Sequence, residues 1–406
     1  MDIKKLTELY RNELAQNVLP FWQKKAFDPL YGGVFEAIDE EGNCISTDKP
    51  VITQAQAVWA FAFAHNQLGG NAEWLELAVD TAAFLLEKGR DAKGNWYQQL
   101  DRRGFPLKIA EDFSPALYSV LALGQLFKAT GERGYVEIAQ KTLTQTLKRR
   151  NAALNKQLQD DTKGRYFKQL EEFALIGHVL LEGEVYMDRK WYKKAMADYV
   201  SELTNDFYDK RTDILLDQIT PSGHFWDCPE GRTLVPGRVL EVAGYTMDIA
   251  DRARNRKLLN QMLDLTELTL GAAWDEIHGG FYYKMDVKSI PSLDMRWNHK
   301  LAWVHLEALQ TILKAHLLSA RPVFLETFEK VHEYVWEHFP DSMYGEWFGE
   351  LNREGQPLLR HKITPDKGCC YLVRNLTTLS QLLEIAADLQ PKKKKEKLLP
   401  PQSTSK

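Results

Sequence analysis

Polar and titratable side chains recur at the starts of apolar helical segments, and four such groups could do chemistry. Gln54 and Gln56 lie at the start of one segment. Arg238 and Glu241 follow a Pro236-Gly237 step. Asn298, His299 and Lys300 lead into a segment carrying Trp303, His305 and, two turns on, Glu307. Lys367 precedes Tyr371 and Arg374. Carboxylates, imidazoles and phenols carry protons, and arginines stabilise oxyanions. Glu307 sits in AWVHLEALQTIL, an otherwise apolar stretch, where a carboxylate is expensive to bury unless paired. Arg374 and Arg238 are its candidate partners. Arg238 and Glu241, three apart, also fit a plain helix salt bridge. His299 and His305 are six apart, share no helical face and make poor metal co-ligands. His178 joins the set if its side chain faces the others. No HExxH, CxxC, P-loop, GxGxxG or GxSxG is present, so neither a metal nor a nucleotide cofactor is expected from motifs.

The elements that position these residues repeat. YGGVFEAIDEEGN at 31–43, KGNWYQQLDRRGF at 93–105, LLDQITPSGHF at 215–225, GGFYYKMDVKSIP at 279–291 and YGEWFGELNREGQ at 344–356 each place alternating apolar residues around a polar turn. That is a β-hairpin pattern. Copies recur about every 60–65 residues, with a worn copy at 161–170 filling one double interval. Between hairpins, segments such as 52–68, 72–89, 113–129, 133–149, 233–252, 255–272, 300–318 and 321–338 carry apolar residues at helical spacing. Two helices per unit and six units predict an all-α (α/α)6 barrel with hairpins in the loops on one face. A linear solenoid is the alternative, disfavoured because the terminal units do not look like polar caps. The expected domain is a single barrel over 1–390. The segment 391–406, PKKKKEKLLPPQSTSK, is predicted to be a disordered basic tail. The helix after each hairpin would be the inner one, with its N-terminus at the hairpin face.

Composition bounds the rest. The formal net charge is −4, with 27% charged and 44% hydrophobic residues, and this gives no reason to expect nucleic acid. Eleven tryptophans suit a cleft that stacks on sugar rings, although most aromatic residues in such a chain are core. Cys44, Cys228, Cys369 and Cys370 form neither a disulfide framework nor a zinc spacing. The N-terminal stretch is a charged amphipathic helix without a signal-peptide core, and no segment reads as membrane-spanning. A cytoplasmic protein is expected.

The same residues carry a resemblance. VLPFWQKKAFDPLYGGVFEAIDEEGN, GRDAKGNW, DCPEGRTLVPGRVLEVAGYTMDIA, AWDEIHGGFYY, KLAWVHLEAL and YGEWFGELNREGQPLL followed by KGCCYLVRNL are similar, in order, to segments of the N-acylglucosamine 2-epimerases (renin-binding proteins), over about residues 5–388. The resemblance implies an (α/α)6 barrel, commonly a homodimer, whose partner is a small-molecule sugar. It implies proton removal and return beside the carbonyl of an open-chain sugar, carried by two histidines with a glutamate and arginines in support. Matched residue by residue, the family glutamates fall on Glu307 and Glu241, and the arginine of KGCFHVPR on Arg374. Elsewhere the chain departs. PGH is PGR, which places Arg238 at one histidine position. KGCFH is KGCCY, which places Tyr371 at the other. Gln56 stands at an arginine position and Gly244 at a tryptophan position. An arginine cannot act as a base, and a tyrosine is an acid rather than a base near neutrality.

Three functions follow. The first is an epimerase or aldose–ketose isomerase with Glu307 as base, Tyr371 as proton donor and Arg238 and Arg374 stabilising the enolate. Gln56, Arg238, Glu241, Trp303 and His305 would then contact the sugar. The second is a non-catalytic sugar- or metabolite-binding paralogue. The third, a glycoside hydrolase or lyase on the same barrel, has only Glu307 and Glu241 as obvious candidate carboxylates.

Overall fold

The computed structural model describes residues 2–159, 167–364 and 367–389. The worn hairpin expected at 161–170 is described only from Phe167, and the predicted tail at 391–406 lies outside the described residues.

The helices fall into two kinds by which faces they bury. Inner helices are α3 (Val51–Gln67), α5 (Ser114–Thr130), α7 (Leu170–Gly183), α10 (Pro236–Arg252), α12 (Ala302–Ser319) and α14 (Cys370–Leu389). In α3 the run from Thr53 to Ala62 is buried without a break, and in α12 so is that from Val304 to Ala315. Such a helix is enclosed on every side. The outer helices are α1 (Ile3–Asn12), continued through a π-helical turn at Glu13–Val18 into α2 (Leu19–Lys25), then α4 (Ala72–Lys88), α6 (Arg133–Gln159), α8 (Arg189–Glu202), α11 (Arg256–Ala273) and α13 (Pro322–His338). They bury one stripe; in α13 it is Phe324, Phe328, Val331, Tyr334 and Val335. A single turn, α9 (Pro229–Arg232), precedes α10.

Around the ring α3 packs on α5, α5 on α7, α7 on α10, α10 on α12, α12 on α14, and α14 back on α3. The N-terminal α1 supplies the outer helix for α14. The inner ring is therefore closed, as expected of the (α/α)6 barrel, and the open solenoid is ruled out by the α14–α3 contact. The inner helices start within about three residues of the positions read from hydrophobic spacing. Lys300 and Lys367, however, precede their helices.

The two ends of the barrel differ chemically. The outer helices α4, α8 and α11 are capped by side chains, whereas α13 is not. The Asn71 oxygen accepts from Glu73 N at 2.9 Å, Asp188 from Trp191 N at 2.8 Å, and Asn255 from Leu258 N at 3.1 Å. In α3, α7, α10 and α12 no side chain caps the N-terminus. Their amides open toward the loop face instead.

That face is held by repeated turns. Asp39, Asp101 and Asn352 each accept from the amide four residues on, at 2.8 Å, and glycines at 42, 104 and 355 take positive φ. A second repeated device lies beneath. Asp28, Asp275 and Asp341 accept from the amides two residues on, at 3.0, 3.1 and 2.9 Å. Their carboxylates meet the fully buried lysines Lys49, Lys300 and Lys362 at 3.2, 3.2 and 2.7 Å. Each lysine ties the chain just before an inner helix to the preceding loop. Among the described residues no helix is long and apolar enough to cross a membrane.

Candidate functional site

The inner helices bring their inward side chains to a small cavity below the loop face. It is lined by Tyr118 from α5, Glu171 and His178 from α7, Arg238 and Glu241 from α10, and Tyr371 and Arg374 from α14. Glu307 of α12 does not line the cavity itself but pairs with Arg374, which does.

Two arginines organise these groups. Arg374 is buried, and its Nη2 pairs in close contact with Glu307 Oε1. The same guanidinium lies 3.3 Å from Glu241 Oε1 and touches the Tyr245 hydroxyl. Asn375 Nδ2 donates to Glu307 at 2.8 Å. Arg238 pairs closely with Glu241 Oε2 through Nη1, which also reaches the Tyr371 hydroxyl at 3.4 Å, while Nη2 reaches Glu171 at 3.2 Å. The guanidinium lies 5.0 Å from the centroid of the Trp303 ring. Trp303 and Tyr371 rings are 5.7 Å apart and also line a neighbouring cleft with Leu301, Leu306 and Leu372.

This charge pattern sets protonation. For Glu241, burial raises the carboxyl, but Arg238 and Arg374 together outweigh it and hold the group below the usual range. For Glu307, burial prevails over Arg374, and the carboxyl is shifted upward. That is the direction a general base working near neutrality needs. The Tyr371 phenol is pushed up to about 12 by burial and by Glu241. It is a hydrogen-bond donor and proton source, not a base.

His178 faces the cavity. Its Nε2 is 3.0 Å from Glu182 Oε1, four residues on, and its Nδ1 is 3.5 Å from Arg374 Nη1. Glu182 also accepts from Trp59 Nε1 at 3.1 Å and Gln125 Nε2 at 2.8 Å. Since Arg374 can only donate, this pattern places the ring proton on Nε2 and turns the Nδ1 lone pair toward the Arg374 guanidinium at the cavity wall. The ring is stacked on Tyr245, with centroids 5.3 Å apart.

His305 stands apart. Its Nδ1 is 2.8 Å from the Leu301 carbonyl, and its Nε2 accepts from Phe281 N at 2.9 Å. Among Phe281, Tyr334 and Phe339, burial drives its pKa down to about 3. Neither nitrogen is left for a sugar. The repeat explains why. Gln54, fourth in α3 as His305 is fourth in α12, makes the same bond, accepting from Val34 N at 2.7 Å. Both side chains hold the residue that follows a Gly-Gly pair, so Gln54 and His305 are structural. Gln56, two residues further on, lies against Gly368, where an added Cβ would fall 2.0 Å from its Oε1. His299 is on the rim, 2.6 Å from Glu350.

The geometry thus gathers Arg238, Glu241, Glu307, Tyr371 and Arg374, with Trp303 at the edge. His178, the conditional candidate, joins them, and the geometry adds Glu182, Tyr245 and Asn375. The spacing of His178 and Glu182 at i and i+4 carried a signal for one pair; Tyr245, four after Glu241, carried another. Among the described residues no group of three His, Cys, Asp or Glu side chains is placed to hold a metal ion.

The closed ring of six inner helices with an outer helix behind each and short hairpins on one face makes this an (α/α)6 barrel. Residues 33–373 match the N-acylglucosamine 2-epimerase (GlcNAc 2-epimerase) family, and the chain belongs to that family. It is 27% identical to the N-acylglucosamine 2-epimerase of Rattus norvegicus over 382 residues, covering 90% of this chain and 89% of the relative. Its fold matches the cellobiose 2-epimerase of Spirochaeta thermophila with a TM-score of 0.80 at 19% identity, covering 95% and 98% of the two chains. A D-mannose isomerase superimposes with a TM-score of 0.78 at 15% identity, covering 93% and 98%.

Proposed function

We propose that this cavity binds a free sugar in its open-chain form and moves a proton at the carbon beside the carbonyl, as an epimerase or aldose–ketose isomerase. The observation that carries the reading is His178. It is an imidazole aligned by Glu182, with its Nδ1 lone pair turned toward Arg374 at the cavity wall. Proton transfer needs a group on each side of the reacting carbon and a cation for the enolate oxygen. Tyr371 supplies a donor on α14, Glu307 and His178 are the acceptors, and Arg374 is the cation. The positions held by Arg238 and Tyr371 then need not be histidines, because an imidazole enters the cavity from α7. This assignment retains Glu307, Tyr371 and Arg374 as catalytic, with Arg238, Glu241 and Trp303 contacting the sugar.

The test is deuterium incorporation at C2 of N-acetylglucosamine, N-acetylmannosamine, mannose and glucose in deuterated water. Wild type should exchange at least one of them. His178→Gln and Glu307→Gln should each slow exchange by about 10²–10⁴-fold. Exchange that survives both substitutions would remove these residues from the chemistry, and no exchange with any of the four would remove the reaction for those sugars.

A second reading, a non-catalytic sugar- or metabolite-binding paralogue, is favoured by one observation: Arg238, a fixed cation, is locked to Glu241 at a position where the family carries an acid/base group. Calorimetry with amino sugars, uronic acids and sugar phosphates separates the two. Binding without exchange supports the paralogue.

A further inference from the structure

The second repeat lacks the buried lysine found in three others. Four loops are closed by the same backbone bridge, Phe27 with Val34, Arg90 with Trp96, Trp274 with Phe281 and Pro340 with Trp347. An aspartate follows the first partner each time: Asp28, Asp91, Asp275 and Asp341. In three of these loops a buried lysine meets that aspartate. Lys49 and Lys300 stand two residues before α3 and α12, whereas the residue two before α5 is Asp112. The second repeat therefore sets a carboxylate where two of the others set a cation. Neither Asp91 nor Asp112 has an ion-pair partner within 4 Å among the described residues.

Both aspartates line a cavity of about 300 Å³, the size at which small-molecule sites begin. Its other wall is the outer helix α6. That helix buries Ala139 and Leu143, but also Thr142 and Thr146, each 5% exposed. Both threonines line the cavity, and neither hydroxyl makes a hydrogen bond among the described residues. Thr266 in α11 and Thr327 in α13 instead bond the carbonyl four residues back, at 2.7 and 2.8 Å. Gln145 of α6 also lines the cavity with its amide unbonded among the described residues. So does Trp96, 5% exposed, whose indole Nε1 is buried without a partner. Buried polar groups are ordinarily paired, so this wall fits a molecule that brings its own donors and acceptors. The charged neighbours are engaged elsewhere. Arg149 donates to Asn95 Oδ1 and meets neither aspartate, and Glu111 pairs with Lys108 at 3.3 Å.

We propose that this cavity is a second ligand site, separate from the one on the barrel axis, and that it takes a small polyol carrying an ammonium group, of the class of the unacylated amino sugars. The ammonium serves Asp91 and Asp112 as the lysines serve the aspartates of the other repeats, with three donors and no acceptor. The ligand hydroxyls serve Thr142, Thr146 and Gln145, which donate and accept. Trp96 offers an indole N–H and an apolar face. A neutral sugar leaves the carboxylates without a cation, and a plain diamine leaves the threonines unpaired. Selectivity therefore falls on a ligand that has both groups. None of this depends on the chemistry proposed for the axial cavity.

Calorimetry on the full chain tests this with three probes. Glucosamine carries both groups, N-acetylglucosamine keeps the hydroxyls without the charge, and putrescine keeps the charge without the hydroxyls. Glucosamine should bind in the millimolar range or tighter, and at least about tenfold better than either of the others. Asp112→Lys, a change on an exposed side chain, should abolish binding by supplying the missing lysine. The double change Thr142→Val and Thr146→Val should weaken it about tenfold. Thermal unfolding checks that both variants are folded. No glucosamine binding at millimolar concentration would mean a cavity filled by water and overturns the site, as does equal binding of N-acetylglucosamine or putrescine. Binding that survives Asp112→Lys but is lost in His178→Gln places the ligand on the axis and overturns it too. Absent deuterium exchange, with glucosamine held and then lost in Asp112→Lys, would discard the axial sugar chemistry and leave the second site standing.

Discussion

At Arg374 one side chain joins four helices: its own α14, α10 through Glu241 and Tyr245, α12 through Glu307, and α7 through His178. A guanidinium suits this because its planar fork presents several donors at fixed angles. Removing it would leave Glu307 and Glu241 buried together with less compensation. Arg374→Met should therefore cost about 3–5 kcal/mol of stability, measured by urea unfolding at neutral pH. A loss below about 1 kcal/mol would mean that the pair relaxes without it. His305 makes the opposite case. Its two bonds are the structural bonds that Gln54 makes in α3. His305→Ala should cost about 1–3 kcal/mol by orphaning the Phe281 amide. His305→Gln should recover most of that loss. If wild type exchanges deuterium into a sugar, the rate should be unchanged in His305→Gln; a rate falling with stability intact would return His305 to the site.

The repeated element is the aspartate that closes a loop and meets a buried lysine. In the first and fifth repeats an arginine adds a second contact, Arg102 to Asp28 at 2.8 Å and Arg353 to Asp275 at 2.8 Å. At Asp28, Asp275 and Asp341, burial is outweighed by hydrogen bonds from these cations and from loop amides, so all three carboxyls sit below the usual range. A carboxyl depressed in the fold stabilises it above the unfolded value, about 3.9, and that contribution is lost as pH falls through the folded value. Acid should therefore weaken the hairpin face progressively below about pH 4. Asp275→Asn should remove part of the slope of stability against pH in that range; an unchanged slope would assign acid sensitivity elsewhere. In the sixth repeat the second glycine of the pair is Glu346, at φ +60°. Its carboxylate accepts from the Trp347 amide at 2.5 Å and pairs with Lys367, so this side chain does locally what Gln54 and His305 do from a neighbouring helix.

For the whole molecule, closure is the decisive property. In an open array the end units lack one neighbour and fray. Here α14 contacts both α12 and α3, so no inner helix is terminal. Amide hydrogen exchange should give α3 and α14 protection comparable to α7 and α10. Markedly faster exchange in α3 and α14 would indicate that the ring opens. Closure also turns the six inner N-termini toward one centre, so residues as far apart as His178 and Arg374 become neighbours.

The hairpin pattern and the helix periodicity were legible in the chain because they depend on local spacing, and six like units favoured a closed barrel over a solenoid, which the α14–α3 contact then settled. The sequence also placed Glu307, Tyr371, Arg374, Arg238 and Glu241, each read from polar residues in an apolar helix and from the family resemblance. The tertiary structure decided which histidine meets them. His305 and His178 both sit in apolar helices, and one-dimensional spacing does not distinguish a histidine bonded to loop backbone from one turned to the centre. Helix rotation within the ring does: it hands both His305 nitrogens to backbone groups and points His178 at Arg374.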